Sequence, residues 1–275
     1  MSEIIPGTAA LVVMQVGTRR SRPDWGLPIP FAEVDQLPNH VLFVTAAAQN
    51  AGRNAYVNLV GSTLTVMGRP FALVEFASSL GSASRAHKAQ GVPVDLVSPL
   101  DHDWPYRLAD RIDAHFERIV VVSVPADLWI AVARIEAALL RSFDGARPVA
   151  FAFVDPSGEA VRLQGHLKWL AQHKLPAFEH RLVLRGAPPY SPSKLPTPAY
   201  FNHTVMPDFA PQVADAIFTR AKPVGQPQEH ATFHAAFGGA TNGTKGMMFE
   251  AVAAAMRDIA ILFEAARRQS QQEAG

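Results

Sequence analysis

The chain has 275 residues, of which 48% are hydrophobic, so it is long enough to bury one large core or two smaller ones. Its 25 basic and 24 acidic side chains nearly balance to a formal net charge of +1, which argues against a domain-wide electrostatic surface for nucleic acid. The absence of cysteine excludes disulfides, cysteine nucleophiles, cysteine zinc sites and iron–sulfur clusters.

The start of the chain predicts a cytoplasmic protein. It reads Met-Ser-Glu-Ile-Ile-Pro, with an acidic residue where a signal peptide carries basic ones. No apolar run approaches the ~20 residues that a membrane-spanning helix needs. We therefore expect no membrane partner.

The first third of the chain predicts strands joined by tight turns. Apolar runs at 9–17 and 41–47 read as buried strands. The dipeptide Gly61-Ser62 lies between the strand-like runs 55–60 and 63–67, and Gly at the first turn position is typical of a type II′ hairpin. A further strand is expected at 71–76.

The next segments predict a short helix at 79–90, a short strand at 92–97 and a longer helix that begins at Asp103. Asp103 suits an N-cap, and Pro105 suits the first turn. The apolar side chains expected on one face of this helix are spaced by four: Trp104, Leu108, Ile112 and Phe116.

Segment 118–185 predicts a βαββαβ order. The expected elements are a strand at 119–124, a helix at 125–143, a strand at 149–154, a turn at 155–158, a returning strand at 160–163, a helix at 166–173 and a strand at 181–185. This order is typical of ferredoxin-like sheets, in which the second strand lies at an edge.

The apolar composition of 149–154 disagrees with an edge position, because both of its faces would be buried. We expect this strand to be central in a larger sheet that includes the N-terminal strands. The predicted fold class is α+β, with a mixed or mostly antiparallel sheet, a ferredoxin-like segment at 118–185 and a C-terminal helical segment.

Three regions are expected. An α/β sheet body covers 1–186, a proline-rich connector covers 187–207, and a helical segment at 208–275 docks on the body. Within the helical segment, helices are predicted from Asp208, at 229–237 and at 247–268.

The glycine-rich loop 238–246 is the leading candidate site. A glycine-rich loop before a helix exposes backbone N–H groups and the positive end of the helix dipole, which together can hold phosphate. The string resembles G-x-x-x-x-G-K-[ST], but its last two residues are transposed, and the segment before it reads as helix rather than strand. A Walker A motif is therefore rejected. The expected anion ligands are Gly239, Asn242, Gly243, Thr244 and Lys245.

A histidine pair is the second candidate site. His230 and His234 are separated by one helical turn, which is a metal-ligand spacing, and Asp101 is the candidate third ligand. Nothing in the sequence brings these segments together. No complete nucleophile motif and no dinucleotide-binding glycine motif is present, so no catalytic residue and no cofactor is assigned.

Three functions remain open from these patterns. The first is an enzyme or sensor that binds a small anionic or phosphorylated metabolite at 238–246. The second is a metal-dependent enzyme that uses His230 and His234. The third is a non-catalytic assembly protein. The low charged fraction of 18% and the apolar stripe of 247–268 also predict a homo-oligomer, with that helix at or near the interface.

Overall fold

The computed structural model describes residues 39–46, 52–128, 149–155, 178–185, 202–206, 212, 213, 217, 231, 232, 235, 236, 240–250 and 252. Its strands are β1 (Val41–Ala46), β2 (Phe71–Phe76), β3 (Val94–Val97), β4 (Ile119–Ser123), β5 (Val149–Asp155), β6 (Phe178–Arg185) and β7 (Asn202–Met206). Its helices with defined bounds are α1 (Arg53–Val66), α2 (Ser82–Ala89) and α3 (Trp104–Asp113).

The described strands form one sheet of seven in the order β3-β2-β4-β1-β5-β6-β7. Every neighbouring pair is parallel. All residues of β1, β2 and β4 are buried. Parallel strands covered on both faces read as continuous apolar runs, which explains the Ile-Val-Val-Val sequence of β4.

The described helices cover both faces of the half of the sheet that β1, β2, β3 and β4 form. The strand register places Val44, Ser123 and Glu75 side by side, so their side chains point to one face. On that face Glu75 contacts α1 and α2. The following residue, Phe76, points to the other face, where its ring lies 4.6 Å from that of Trp104 in α3. The architecture is therefore a parallel α/β sheet between helical layers.

The predicted mixed or mostly antiparallel α+β sheet is wrong. β5 pairs in parallel with β1 on one side and with β6 on the other, which rules out the ferredoxin-like arrangement of 118–185. The expectation that 149–154 is central in a larger sheet is confirmed.

The predicted hairpin over 55–67 is also wrong, because 55–66 belong to α1 and Met67 is the C-cap of this helix. Residues 56–64 are buried all round, so this part of the helix has no exposed face. The Thr63 and Thr65 hydroxyls donate to the carbonyls of Leu59 and Gly61, at 2.7 and 3.0 Å, and are thus satisfied within the helix.

The predictions for 71–124 are largely confirmed. β2, α2, β3, α3 and β4 lie within a few residues of their expected positions. Asp103 precedes α3 at the N-cap position, but its side chain makes no capping hydrogen bond. Phe116 was expected on the buried stripe, yet it lies beyond the end of α3 and is 67% exposed.

The C-terminal region is described in part. β7 lies within the predicted connector, and 212, 213 and 217 are helical, with Val213 and Ile217 buried. Residues 235 and 236 are helical, as are 242–250 and 252. The expected elements at 9–17, 160–163 and 166–173 lie outside the described residues, as do 129–143 of the predicted helix. Among the described residues, no helix is long and apolar enough to cross a membrane.

Candidate functional site

The carboxyl ends of β1, β2 and β4, together with the first turns of α1 and α2, form the region that we call the carboxyl edge. From β1 the chain crosses β4 to reach β2, whereas from β4 it crosses β1 in the opposite direction to reach β5. Ligands of open α/β sheets bind outside the carboxyl ends of strands where the connections diverge in this way. The divergence lies at β1, whose chain continues into α1.

The first turn of α1 has the properties of an anion-binding helix end. The residue before it, Gly52, adopts the left-handed conformation with φ 85°, which suits a residue without Cβ. Gly52 has no side chain that could cap the helix, and no acidic residue lies in its first turn. A helix N-terminus carries backbone N–H donors and a partial positive charge, and acidic side chains would compete for both.

A buried carboxylate anchors the carboxyl edge. Glu75, at the end of β2, is 1% exposed. Its Oε2 accepts a hydrogen bond of 2.5 Å from Ser84 in α2, and its Oε1 accepts one of 3.0 Å from Ser123 in β4. Because burial of a charge is costly without such partners, the two hydroxyls stabilise the ionised carboxylate in place.

Arg53 lies next to this carboxylate. Its Nη2 is 3.5 Å from Glu75 Oε1, and its side chain is 19% exposed. Burial lowers the pKa of Arg53 from its ordinary value, while the charges of Glu75 and Asp127 raise it. An arginine stays charged under such opposing effects. The edge therefore holds a fixed guanidinium at the start of α1.

The two helices are joined across the edge by a second polar contact. Asn54 Nδ2 donates to Ser82 Oγ at 3.3 Å. Gly81, just before α2, allows the start of α2 to lie this close to α1 and β2. A Cβ at this position would lie 3.1 Å from Asn54 Oδ1 and 3.2 Å from Glu75 Oε2. The close packing ties the first turns of α1 and α2 to the end of β2.

A histidine lies between α1 and α2, further along both helices. His87 is 1% exposed, its ring meets Phe71 edge-on at 5.6 Å, and its Nε2 has no hydrogen-bond partner among the described residues. Burial lowers the pKa of His87 to about 4, against a smaller opposing effect of a hydrogen bond with the Asn58 backbone. The ring is therefore neutral at pH 7 and packs as an apolar group.

The glycine-rich candidate loop differs from its prediction in one respect. The helix expected from 247 already includes 242, so Asn242, Gly243, Thr244 and Lys245 lie in its first turns. The Thr241 hydroxyl caps this helix by accepting from the Thr244 backbone N–H at 3.3 Å. Asn242 and Gly243 are exposed and Thr244 is buried. Gly239 lies outside the described residues, and anion binding by this loop stays a prediction.

The predicted metal ligands are not brought together by the described part of the chain. His230 and His234 lie outside it, and Asp101 is paired with Arg107. Within the described residues, no group of three or more histidine, aspartate and glutamate side chains could hold a metal ion. The metal site therefore also stays a prediction.

The sequence analysis missed Arg53, Glu75, Ser84 and Ser123. One local signal was present: the apolar strand 41–46 is followed by Gly52-Arg53-Asn54 at the start of a helix. That order of strand, glycine, basic residue and helix is the context in which a phosphate loop is found. The chain departs from the loop pattern, with Ala47 for its first glycine, Arg53 for lysine and Asn54 for serine or threonine.

No protein-family model matches the chain, and no curated protein matches it in sequence. Among solved structures, it is similar to a ParA family ATPase from Chlorobium tepidum TLS, with 13% identity and a TM-score of 0.39 over 56% of this chain and 76% of that one. The signal recognition particle receptor FtsY from Elizabethkingia anophelis matches with 13% identity and a TM-score of 0.40, over 54% of this chain and about half (49%) of the receptor. The kinase domain of Escherichia coli tyrosine kinase ETK matches with 14% identity and a TM-score of 0.36, over 66% of this chain and 90% of that one. No function follows from likenesses of this size.

Proposed function

We propose that the protein binds a small phosphorylated or otherwise anionic ligand at the carboxyl edge, between the first turn of α1 and Arg53. The observation that carries the proposal is the start of α1, where Gly52 at the N-cap is in the left-handed conformation and offers no capping side chain, and Arg53 lies next to it. It lies where the sheet connections diverge, which is the usual ligand position in this class of fold.

The chemistry of the edge suits an oxyanion. Backbone N–H groups at a helix start donate to phosphate oxygens, and a planar guanidinium donates two parallel hydrogen bonds to the same group. The negative charge of Glu75 is buried and is shared by two hydroxyl donors. Asp127 is exposed, so water and salt screen its repulsion of an anion.

Calorimetric titration with inorganic phosphate, pyrophosphate and ADP tests this proposal and separates the two candidate anion sites. We expect at least one ligand to bind the wild-type protein and Lys245→Ala, and to be lost in Arg53→Gln. Arg107→Ala is the matched control, because Arg107 pairs with Asp101 on the surface, away from α1.

The opposite result, with binding lost in Lys245→Ala and kept in Arg53→Gln, would move the site to the predicted loop 238–246. No binding of any of the three ligands would overturn anion binding at both sites. The melting temperature of each variant reports whether it is folded, and ligand binding raises that temperature by mass action.

A non-catalytic assembly protein is the second candidate function. Large apolar side chains are exposed around β3 and α3: Leu100 by 82%, Tyr106 by 75% and Phe116 by 67%. Exposed apolar surface beside an edge strand is typical of a protein–protein contact. Light scattering that gives a monomer mass at micromolar concentration would count against this function and against the predicted homo-oligomer.

A further inference from the structure

The carboxylate of Glu75 has little capacity left for a metal ion. Oε2 is taken by Ser84, and Oε1 is shared between Ser123 and Arg53. Divalent cations bind carboxylate oxygens directly at about 2.0–2.6 Å. A cation at Glu75 would compete with these hydroxyl and guanidinium donors for a side chain that is 1% exposed.

The neighbouring side chains are also poor cation ligands. In phosphate loops of the G-x-x-x-x-G-K-[ST] type, the final hydroxyl binds Mg²⁺. Here the corresponding residue is Asn54, whose amide nitrogen donates to Ser82 Oγ at 3.3 Å. The end of β4 carries the neutral Ser123, which is already bonded to Glu75. The exposed carboxylate of Asp127 lies close enough to Arg53 for its charge to raise the pKa of that residue.

The positive charge beside Glu75 comes instead from a side chain of the protein, Arg53. The guanidinium of Arg53 lies 3.5 Å from Glu75, and the charges of Glu75 and Asp127 both stabilise it. A guanidinium offers several N–H donors in one plane, so it can contact a carboxylate and a phosphate at the same time.

We propose that the anionic ligand of the carboxyl edge binds in its metal-free form, with Arg53 supplying the positive charge that a divalent cation would otherwise bring. This inference rests on the proposed function. It narrows the ligand to a phosphate or diphosphate group recognised without Mg²⁺.

The test is titration of the full chain with inorganic pyrophosphate, once in EDTA and once in millimolar Mg²⁺. We expect binding in EDTA that is as tight as in Mg²⁺ or tighter, because Mg²⁺ removes free pyrophosphate from solution. A Kd weaker in EDTA by about tenfold or more, a difference of about 1.4 kcal/mol, would overturn the inference and leave the proposed function standing. No binding in either buffer would overturn both.

Two variants test the role of Arg53 within the same experiment. Arg53→Gln keeps the length and most of the packing of the side chain, and we expect it to lose pyrophosphate binding in EDTA. Arg53→Lys keeps the charge but not the planar fork, and we expect weaker binding that persists in EDTA. Wild-type affinity in Arg53→Gln would overturn the assignment of the charge to Arg53.

Discussion

Replacement of Gly61 by alanine tests the packing of α1 against α2. A Cβ at Gly61 would lie 2.6 Å from Nε2 and 2.7 Å from Cε1 of His87. The ring has little room to turn aside, because it is buried and meets Phe71 edge-on. Forcing a methyl group into such a contact costs about 1–3 kcal/mol.

Alanine is also the better helix former, by about 1 kcal/mol over glycine in a helix interior. The two effects oppose each other, and the short contact distance decides that the packing cost is larger. We expect Gly61→Ala to lower the free energy of unfolding by up to about 2 kcal/mol. Urea unfolding followed by tryptophan fluorescence measures this change.

Gly243→Ala is the matched control, because Gly243 is helical and a Cβ there would meet nothing within 4 Å. We expect it to be neutral or to stabilise by up to about 1 kcal/mol. In a His87→Ala background, Gly61→Ala has no ring to displace and its cost should disappear, which corresponds to a coupling energy of about 1–3 kcal/mol. If Gly61→Ala stabilises the protein as Gly243→Ala does, the described contact between α1 and α2 is refuted.

Three further predictions concern buried polar groups. Burial lowers the pKa of His87 from 6.5 to about 4, so unfolding takes up a proton between these pH values. The free energy of unfolding should therefore fall by about 3 kcal/mol as the pH drops from 6.5 to 4. Urea unfolding against pH measures this fall, which should be smaller in His87→Phe. Ser84→Ala should lower the free energy of unfolding by about 1.5–3 kcal/mol in the same assay, because Glu75 loses a hydrogen-bond donor at 2.5 Å. Ser84→Thr keeps a hydroxyl and should recover part of this loss. Unchanged stability in Ser84→Ala would contradict the anchoring role of the carboxylate. Asn58→Ala should lower the free energy of unfolding by about 1–3 kcal/mol, because Asn58 Nδ2 donates a hydrogen bond to the Ala231 carbonyl at 2.8 Å. Amide hydrogen exchange in the C-terminal helices should become faster in this variant. Unchanged exchange would contradict this link between α1 and the C-terminal region.

The strands were easier to predict than their order. The apolar runs 41–47, 71–76 and 119–124 identify three strands because strands buried on both faces are continuously apolar. Nothing in these runs tells which strand lies beside which. The order depends on the crossovers, and the first crossover was missed when α1 was interpreted as a hairpin.

The α1 segment could not be recognised from its period. Its buried positions run without interruption from Tyr56 to Leu64. They include Val57, Val60, Gly61 and Thr63, residue types that favour strands and turns when tested locally. Packing against the sheet and against α2 overrides that preference.

Only one part of the candidate site, the start of α1, could be predicted from the sequence. Gly52 and Arg53 follow an apolar strand, and this is a local pattern. The partners of Glu75 come from α2 and β4, and only the parallel register of β2 beside β4 brings Ser123 next to it. A single acidic residue within an apolar strand does not specify such partners.

The position of β1 within the sheet has a consequence for how the chain folds. Val41 pairs with Val120 on one side and with Val149 on the other, so both neighbours of the first described strand are made much later in synthesis. Among the described strands, a nascent chain that ends before β4 can form only the pair of β2 with β3, and the apolar strand β1 has no neighbour yet. Such long-range parallel pairing slows folding and prolongs the exposure of aggregation-prone strands. The carboxyl edge, which needs β4 beside β2, is therefore assembled late, and a fragment ending at β3 lacks it.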